Sequence, residues 1–491
     1  MRVVICGAGI AGLALAGRLH NVLGWEVVVL EKAPRPRTEG YMIDFFGPGY
    51  DAAEAMGMLP WLEELSYPVS EAAFLDGDGR CRARLPYGRF ARSVRGRLLS
   101  IMRPDLELVL RERLSFAVRL RFGVGPASVD ARPDGIHVTL TDGSGIDADL
   151  LVGADGLHST LRTLVFGEEH QYVRYLGYHT AAFIFHDPQV HEQLGDRFCL
   201  TDTVGRQMGL YALRDDEVAA FTVHRAADPS RSGDARDALR REYGSLGWLV
   251  PRALAQCPPS AQIYYDQVAQ IDLPSWSHGR VVLVGDACQA VSLLAGQGAS
   301  LAMGGAYVLA DQLSRASRIE DALHAYERLW RPVIKNRQRV ARRAARWFVP
   351  ESSRQVRARR AALLLAGLPG VWRLVGTALA GRRQLSLGVI RRGSGLSERG
   401  ASRGRRAQQR KSPQAMNSSC RAGEPGNPEG IDMQPSPPLG PGAVTAHLRR
   451  VLPLRSLHGR ALHHQANRTR TADHPTNGTE TAAVTTPPRG T

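Results

Sequence analysis

Apolar and polar positions follow two rhythms along this chain. Residues 3–6 are an unbroken apolar run, and residues 25–30 form a second, Trp-Glu-Val-Val-Val-Leu, rich in β-branched side chains. Both predict strands. Between them, residues 13–23 carry apolar side chains at helical spacing, so the chain opens as strand, turn, helix, strand. Further helices are predicted over 52–65, over 104–114 with Pro104 in the first turn, and over 236–257. Residues 71–86, 117–141 and 172–225 alternate with period two between Gly/Asp turns, the pattern of antiparallel strands. Residues 279–285 predict a buried strand, followed by a small-residue helix reaching about 313. Arginine-rich helices are predicted over 319–348 and 354–380. Past Gly393 the periodicity fades, and eleven prolines fall within 412–491, which predicts a disordered tail.

Charge changes this picture by its distribution. The chain of 491 residues has a formal net charge of +16. Residues 1–330 hold 33 Lys/Arg against 40 Asp/Glu, whereas 331–411 hold 22 against 2. The body is therefore mildly acidic and unsuited to reading nucleic acid through its own surface. The six cysteines lie far apart without a C-x-x-C pair, which fits neither a disulfide framework nor a zinc site. No metal spacing occurs among the histidines. No run of about 20 uninterrupted apolar residues is present, and a soluble cytoplasmic protein is expected.

The opening turn reads Gly7-Ala8-Gly9-Ile10-Ala11-Gly12, after a strand and into a helix, with Glu31 closing the next strand. Each part has a physical task. Gly7 permits the turn, Gly9 lets a pyrophosphate approach the backbone, and Gly12 lets the helix pack against the strand. The helix N-terminus offers N–H groups to phosphate, and Glu31 can accept hydrogen bonds from a ribose. This constellation predicts dinucleotide binding; NAD fits it as well as FAD. Two later segments carry acidic residues in Gly-rich surroundings: Gly153-Ala-Asp155-Gly156-Leu-His-Ser159, running on to Arg162, and Gly285-Asp286-Ala287, followed by Gly296-Gln-Gly298.

Together with the opening loop, these two segments resemble the three fingerprints of the single-component aromatic flavin monooxygenases, the p-hydroxybenzoate hydroxylase class, over about residues 1–330. The stretch Gly40-Tyr-Met-Ile-Asp44 to Gly57 looks most like the branch with the tetracycline-modifying monooxygenases. The resemblance implies an α/β fold: a Rossmann-like FAD-binding domain over 1–171 and 271–330, an inserted, mainly antiparallel substrate sheet over 172–270, basic helices over 331–392 and a tail from 393. It implies FAD as cofactor, held by the opening loop, Glu31, Lys32, Arg103, Asp155, Asp286, Gly296 and Gly298. NAD(P)H is the transient co-substrate, and O2 is transferred through a flavin C4a-hydroperoxide to a small aromatic, apolar or polyketide-like molecule. Because the cofactor carries the reaction, no side chain is assigned as catalytic. Where the family shows a histidine and a proline after Gly-Asp-Ala, this chain has Gln289 and Leu293.

Eight aromatic residues between Tyr172 and Phe221 are expected to divide between a substrate pocket and packing on helices. A flavin reductase or dehydrogenase without oxygen insertion fits the same motifs. A flavin halogenase does not, because no two tryptophans stand two apart. The basic segment 337–380 suits either a solvated arginine face or weak contact with an anionic membrane surface.

Overall fold

The computed structural model describes residues 1–366 apart from Thr38, Pro133, Arg231 and Ser232; the expected tail and the end of the predicted 354–380 helix lie outside the described residues. Both early apolar runs are central strands. The nucleotide sheet runs β17 (Ser277–His278), β18 (Val281–Leu283), β11 (Leu150–Gly153), β1 (Arg2–Cys6), β2 (Glu26–Glu31), β7 (Arg119–Phe122), with β17 alone antiparallel to its neighbour. The helix Ile10–Leu23 covers one face; its C-cap Gly24 is left-handed, as a helix stop requires. Val3, Val4, Ile5, Val27 and Val29 are fully buried, consistent with continuous apolar strands in a parallel sheet.

The second large sheet runs β16 (Tyr264–Ile271), β12 (Val173–His186), β15 (Glu217–Arg225), β14 (Arg206–Ala212), β13 (Arg197–Thr201), β4 (Glu71–Leu75), β5 (Cys81–Pro86). It is antiparallel except where β13 lies parallel to β4. The expected insertion 172–270 is thus two strands short: 71–86, read correctly as strands, joins this sheet from the N-terminal side. Local alternation identifies a strand but not the sheet that accepts it. A two-stranded ribbon, β3 (Met42–Phe46) with β6 (Leu98–Met102), and a meander of β8 (Pro126–Ala131), β9 (Ile136–Leu140) and β10 (Gly145–Ala148) complete the described strands.

Three predicted helices are broken where glycine or turn residues intervene. The 52–65 segment forms Pro48–Ala55 and Leu59–Glu64 around left-handed Gly57. The 236–257 segment forms Ala235–Tyr243 and Val250–Ala255 around Gly244 and Gly247. After β18, a short turn Asp286–Gln289 precedes Gly298–Leu313. Ile319–Phe348 is one 30-residue helix, which crosses the expected boundary at 330.

The basic helices divide their arginines. Arg337 and Arg359 are buried, and Arg359 and Arg360 both pair with the buried Asp202, which docks Ser353–Ala366 on the second sheet. Arg339, Arg343, Arg354 and Arg357 face solvent. Among the described residues no helix is long and apolar enough to cross a membrane.

Candidate active site

The opening loop is built as its spacing requires. Gly7 has φ +110°, and a Cβ there would lie 2.4 Å from the Ala154 carbonyl oxygen. A Cβ on Gly12 would lie 2.0 Å from the Gly7 carbonyl oxygen, so only glycine lets this helix rest on its turn. Gly9 differs: its Cβ would meet no protein atom closer than Glu107 Oε1 at 3.7 Å and Arg103 Nη2 at 4.0 Å. The space it keeps open lies toward the cleft. Ile10 and Ala11 form the buried first turn, and Gly9, the N-cap, has no side chain to satisfy that turn's N–H groups. Glu31 accepts hydrogen bonds from the Ala8 and Ala33 amides, both at 2.9 Å. It therefore fixes the turn, and each carboxylate oxygen retains a lone pair for a ribose hydroxyl. Lys32 is exposed beside Gly125.

Arg103 opens the helix Arg103–Glu112, and its Nη2 pairs with Glu107 at 2.9 Å. Burial opposes its charge, but Glu107 and other negative neighbours, Asp286 among them, outweigh that and raise its pKa. Asp286 lies across the same cleft, deep in the fold yet with its side chain open to it. Burial raises its carboxyl pKa against the opposing pull of Arg103. A Cβ on Gly298 would stand 4.0 Å from Asp286 Oδ1, so the glycine keeps the approach to this carboxylate clear. Gly298 starts the 16-residue helix to Leu313, whose N-cap Gln297 supplies no side-chain hydrogen bond. Gly296 adopts φ +60° in the turn before it. Two uncapped helix N-termini, an arginine and two carboxylates thus bound one cleft, an arrangement suited to a diphosphate at one end and a polar ring edge at the other.

The middle motif is tied to the helix that follows it and to the backbone beside Asp286. Asp155 accepts from Ser159 Oγ at 2.5 Å and from the Leu161 amide at 3.0 Å, so both oxygens are engaged by the start of the next helix. Arg162 is fully buried and donates to the carbonyls of Ala287 and Leu157, both at 2.8 Å. These residues tie the middle loop to the backbone beside Asp286. Gln289, left without a role from sequence, is also a strut: it accepts from Trp330 Nε1 at 2.7 Å and donates to the Leu301 carbonyl at 3.2 Å. Leu293 lies in a short turn after Ser292, a non-glycine residue at φ +106°. Cys288 is buried with its thiol pKa pushed well up by burial, the behaviour of a packing residue.

Facing this cleft, the second sheet offers an aromatic wall. Tyr41, at the start of the ribbon, stands 5.9 Å from Phe221 and 5.5 Å from Tyr264, centroid to centroid, and Phe198 packs edge-on to Tyr211 at 5.4 Å. A Cβ on Gly209 would lie 2.5 Å from the Phe198 ring, so this glycine seats the wall. Burial lifts the Tyr41 hydroxyl pKa to about 12. Of the eight aromatic residues expected to divide, Phe198, Tyr211 and Phe221 face the cleft side, while Phe183 and Phe185 pack beneath helices on the other face. Tyr172 and Tyr175 hydrogen-bond to nearby backbone carbonyls. Tyr178 packs beside Phe221 and Phe348. Tyr41 and Tyr264 lie outside 172–225, the segment whose aromatic residues were expected to form the pocket; the sequence signal for Tyr41 is its place directly after Gly40, at the start of the Gly40–Gly57 stretch.

Known proteins with this arrangement are numerous. The family described as FAD binding domain matches residues 1–341. The FAD-dependent monooxygenase asL6 of Sarocladium schorii is 30% identical over 367 residues, covering 69% of this chain and 86% of that protein. An uncharacterized protein of Mycobacterium tuberculosis is 34% identical over 324 residues, 64% of this chain and 85% of its own. Among solved structures, the tetracycline destructase Tet(55) superposes with TM-score 0.65 at 26% identity, over 77% of this chain and 97% of that one. Klebsiella pneumoniae HpxO complexed with FAD and uric acid shares the fold, with TM-score 0.64 at 23% identity over 77% and 96% of the two chains. The glycine turn, Glu31 and the two uncapped helix ends have the chemistry a flavin dinucleotide calls for, and the chain belongs to the FAD binding domain family as an FAD-dependent monooxygenase of the aromatic-monooxygenase class.

Proposed function

We propose that the enzyme consumes NADH or NADPH and O2 to hydroxylate a small aromatic or polyketide-like molecule held between the cofactor cleft and the second sheet. The observation that carries this reading is the aromatic wall of Tyr41, Tyr264, Phe221 and Phe198, which faces the same space as Arg103 and Asp286. FAD, when bound, supplies hydride acceptance and oxygen activation. The chain's residues supply position. The first turn after Gly9 offers N–H groups to the pyrophosphate, with Arg103 nearby; Glu31 accepts from the ribose, and Lys32 stands by the adenine end. Asp286 would accept from the ribityl hydroxyls, and the uncapped start of the helix after Gly296 and Gly298 would favour negative charge on the flavin ring. The aromatic wall excludes water and orients a flat substrate by stacking. Likeness to a tetracycline destructase supports a polycyclic, polyketide-like substrate.

The test begins with colour: recombinant protein should be yellow, with one FAD per chain. Phenolic and polyketide-like compounds should then accelerate nicotinamide oxidation with matching O2 uptake, and label from 18O2 should enter the product. Equal turnover under nitrogen would assign the enzyme to the reductases instead.

A further inference from the structure

The substrate-facing side of the ribbon carries a carboxylate that neither cofactor binding nor the aromatic wall accounts for. On β3, Ile43 and Phe45 point into the core of the nucleotide domain. Alternation therefore turns Met42, Asp44 and Phe46 the other way. Met42 joins the cluster of Tyr211, Phe198 and Phe221. The Phe46 amide donates to Ser300 Oγ at 3.2 Å, in the first turn of the helix that begins at Gly298. Asp44 thus lies between the aromatic wall and the helix end nearest Asp286. Its Oδ1 accepts from Ser100 Oγ at 2.9 Å, and its Oδ2 from Tyr87 Oη at 3.0 Å. A carboxylate has about four acceptor positions, so one on each oxygen remains open. Asp44 and Tyr87 both sit deep enough that burial raises their pKa values, yet both are only partly buried. Asp266, another carboxylate of this region, is engaged by His158 Nε2 and the Gln267 amide.

We propose that Asp44, held by Ser100 and Tyr87, is the polar anchor of the substrate cavity and selects ring substrates that carry a hydroxyl donor. The proposal rests on the monooxygenase reading above and deepens it. An acceptor at this place sets which ring edge turns toward the sheet's interior and hence which carbon faces the cofactor. The donors on Ser100 and Tyr87 keep the carboxylate in one rotamer, so little ordering remains to be done when a substrate arrives.

The experiment titrates purified FAD holoenzyme with 2-naphthol and with its methyl ether, 2-methoxynaphthalene, at neutral pH, reading the perturbation of the flavin absorption. Wild-type protein should bind 2-naphthol about ten-fold more tightly than the ether, the scale of one hydrogen bond to a charged acceptor. Asp44→Asn should lose most of that preference while its affinity for the ether stays within about two-fold, and Tyr87→Phe, which removes one holding donor but leaves the carboxylate, should keep a reduced preference above that of Asp44→Asn. A wild-type ratio near one, or an unchanged ratio in Asp44→Asn, would overturn the proposal. Equal loss of melting temperature in both variants with no change in the ratio would make Asp44 a structural staple and overturn it too. Failure of the underlying reading looks different: protein that retains no FAD at all.

Discussion

The two large sheets solve the same problem, presenting side chains to one cleft, in opposite ways. The nucleotide sheet presents its residues at strand ends: Gly7 follows β1, Glu31 ends β2, the middle motif follows β11 and Asp286 follows β18. Each contribution is a short segment whose glycines and acidic residue are fixed by local backbone demands. The second sheet presents a face. Its aromatic wall draws on Tyr41, Phe198, Tyr211, Phe221 and Tyr264, and no two of them are neighbours in sequence. A strand end is determined by the residues around it, while a face is determined by what covers the opposite side. Here helices Ala235–Tyr243 and Val250–Ala255 bury Phe183 and Phe185, and so leave the alternate positions on the cleft side.

The largest effect that could break this contrast is at the turn. Gly12→Ala places a methyl group 2.0 Å from the Gly7 carbonyl, backbone that has nowhere to go. The variant should lose FAD affinity by a hundred-fold or more, roughly the loss of about 3 kcal/mol, and purify nearly colourless; fluorescence titration with FAD measures this. Near-normal affinity would mean that the loop is more tolerant than its packing indicates.

The contrast between the sheet's two faces is sharpened by a pair of truncations. Phe183→Ala, at a position 1% exposed, should cost about 3–5 kcal/mol in urea unfolding with little change in ligand affinity. Phe221→Ala, on the partly open face, should cost less than about 2 kcal/mol but weaken binding of aromatic ligands by ten-fold or more. Reversed outcomes would exchange the two faces.

A smaller effect tests the strut between the sheets. Hydrogen bonding to Asp266, and then to Glu169, raises the His158 pKa above its ordinary value against the opposing effect of burial. A raised pKa stabilises the fold fully below the unfolded-state value near about 6.5 and loses that contribution as pH climbs through the folded-state value. His158→Gln should therefore destabilise the fold in urea unfolding more at about pH 5.5 than at about pH 8.5, by about 1 kcal/mol for a partly exposed histidine. A larger loss at the alkaline end would place the stabilisation elsewhere.

The roles of Gly7, Gly9 and Gly12, the position of Glu31 and the strand leading to Asp286 were legible because each answers a constraint within a few residues: a positive φ, a backbone approach, a helix start. Asp155 was legible as part of a motif; that Ser159 Oγ and the Leu161 amide donate to it follows only once the turn into the next helix has formed. Gln289 carried no signal at all, since its partner Trp330 arrives from forty-one residues away. Likewise, 71–86 could be read as strands without knowing that β4 would pair in parallel with β13.

By itself, then, the sequence determined the dinucleotide turn, the parallel core and the basic character of the segment after 330, all of which follow from spacing and composition. Only the tertiary structure decided which aromatic residues face the cleft, that Arg337 and Arg359 are buried, and that Asp44 is held by Tyr87 and Ser100. The physical reason is that a turn's requirements are local and steric, whereas exposure of a side chain depends on which distant element packs over its neighbours.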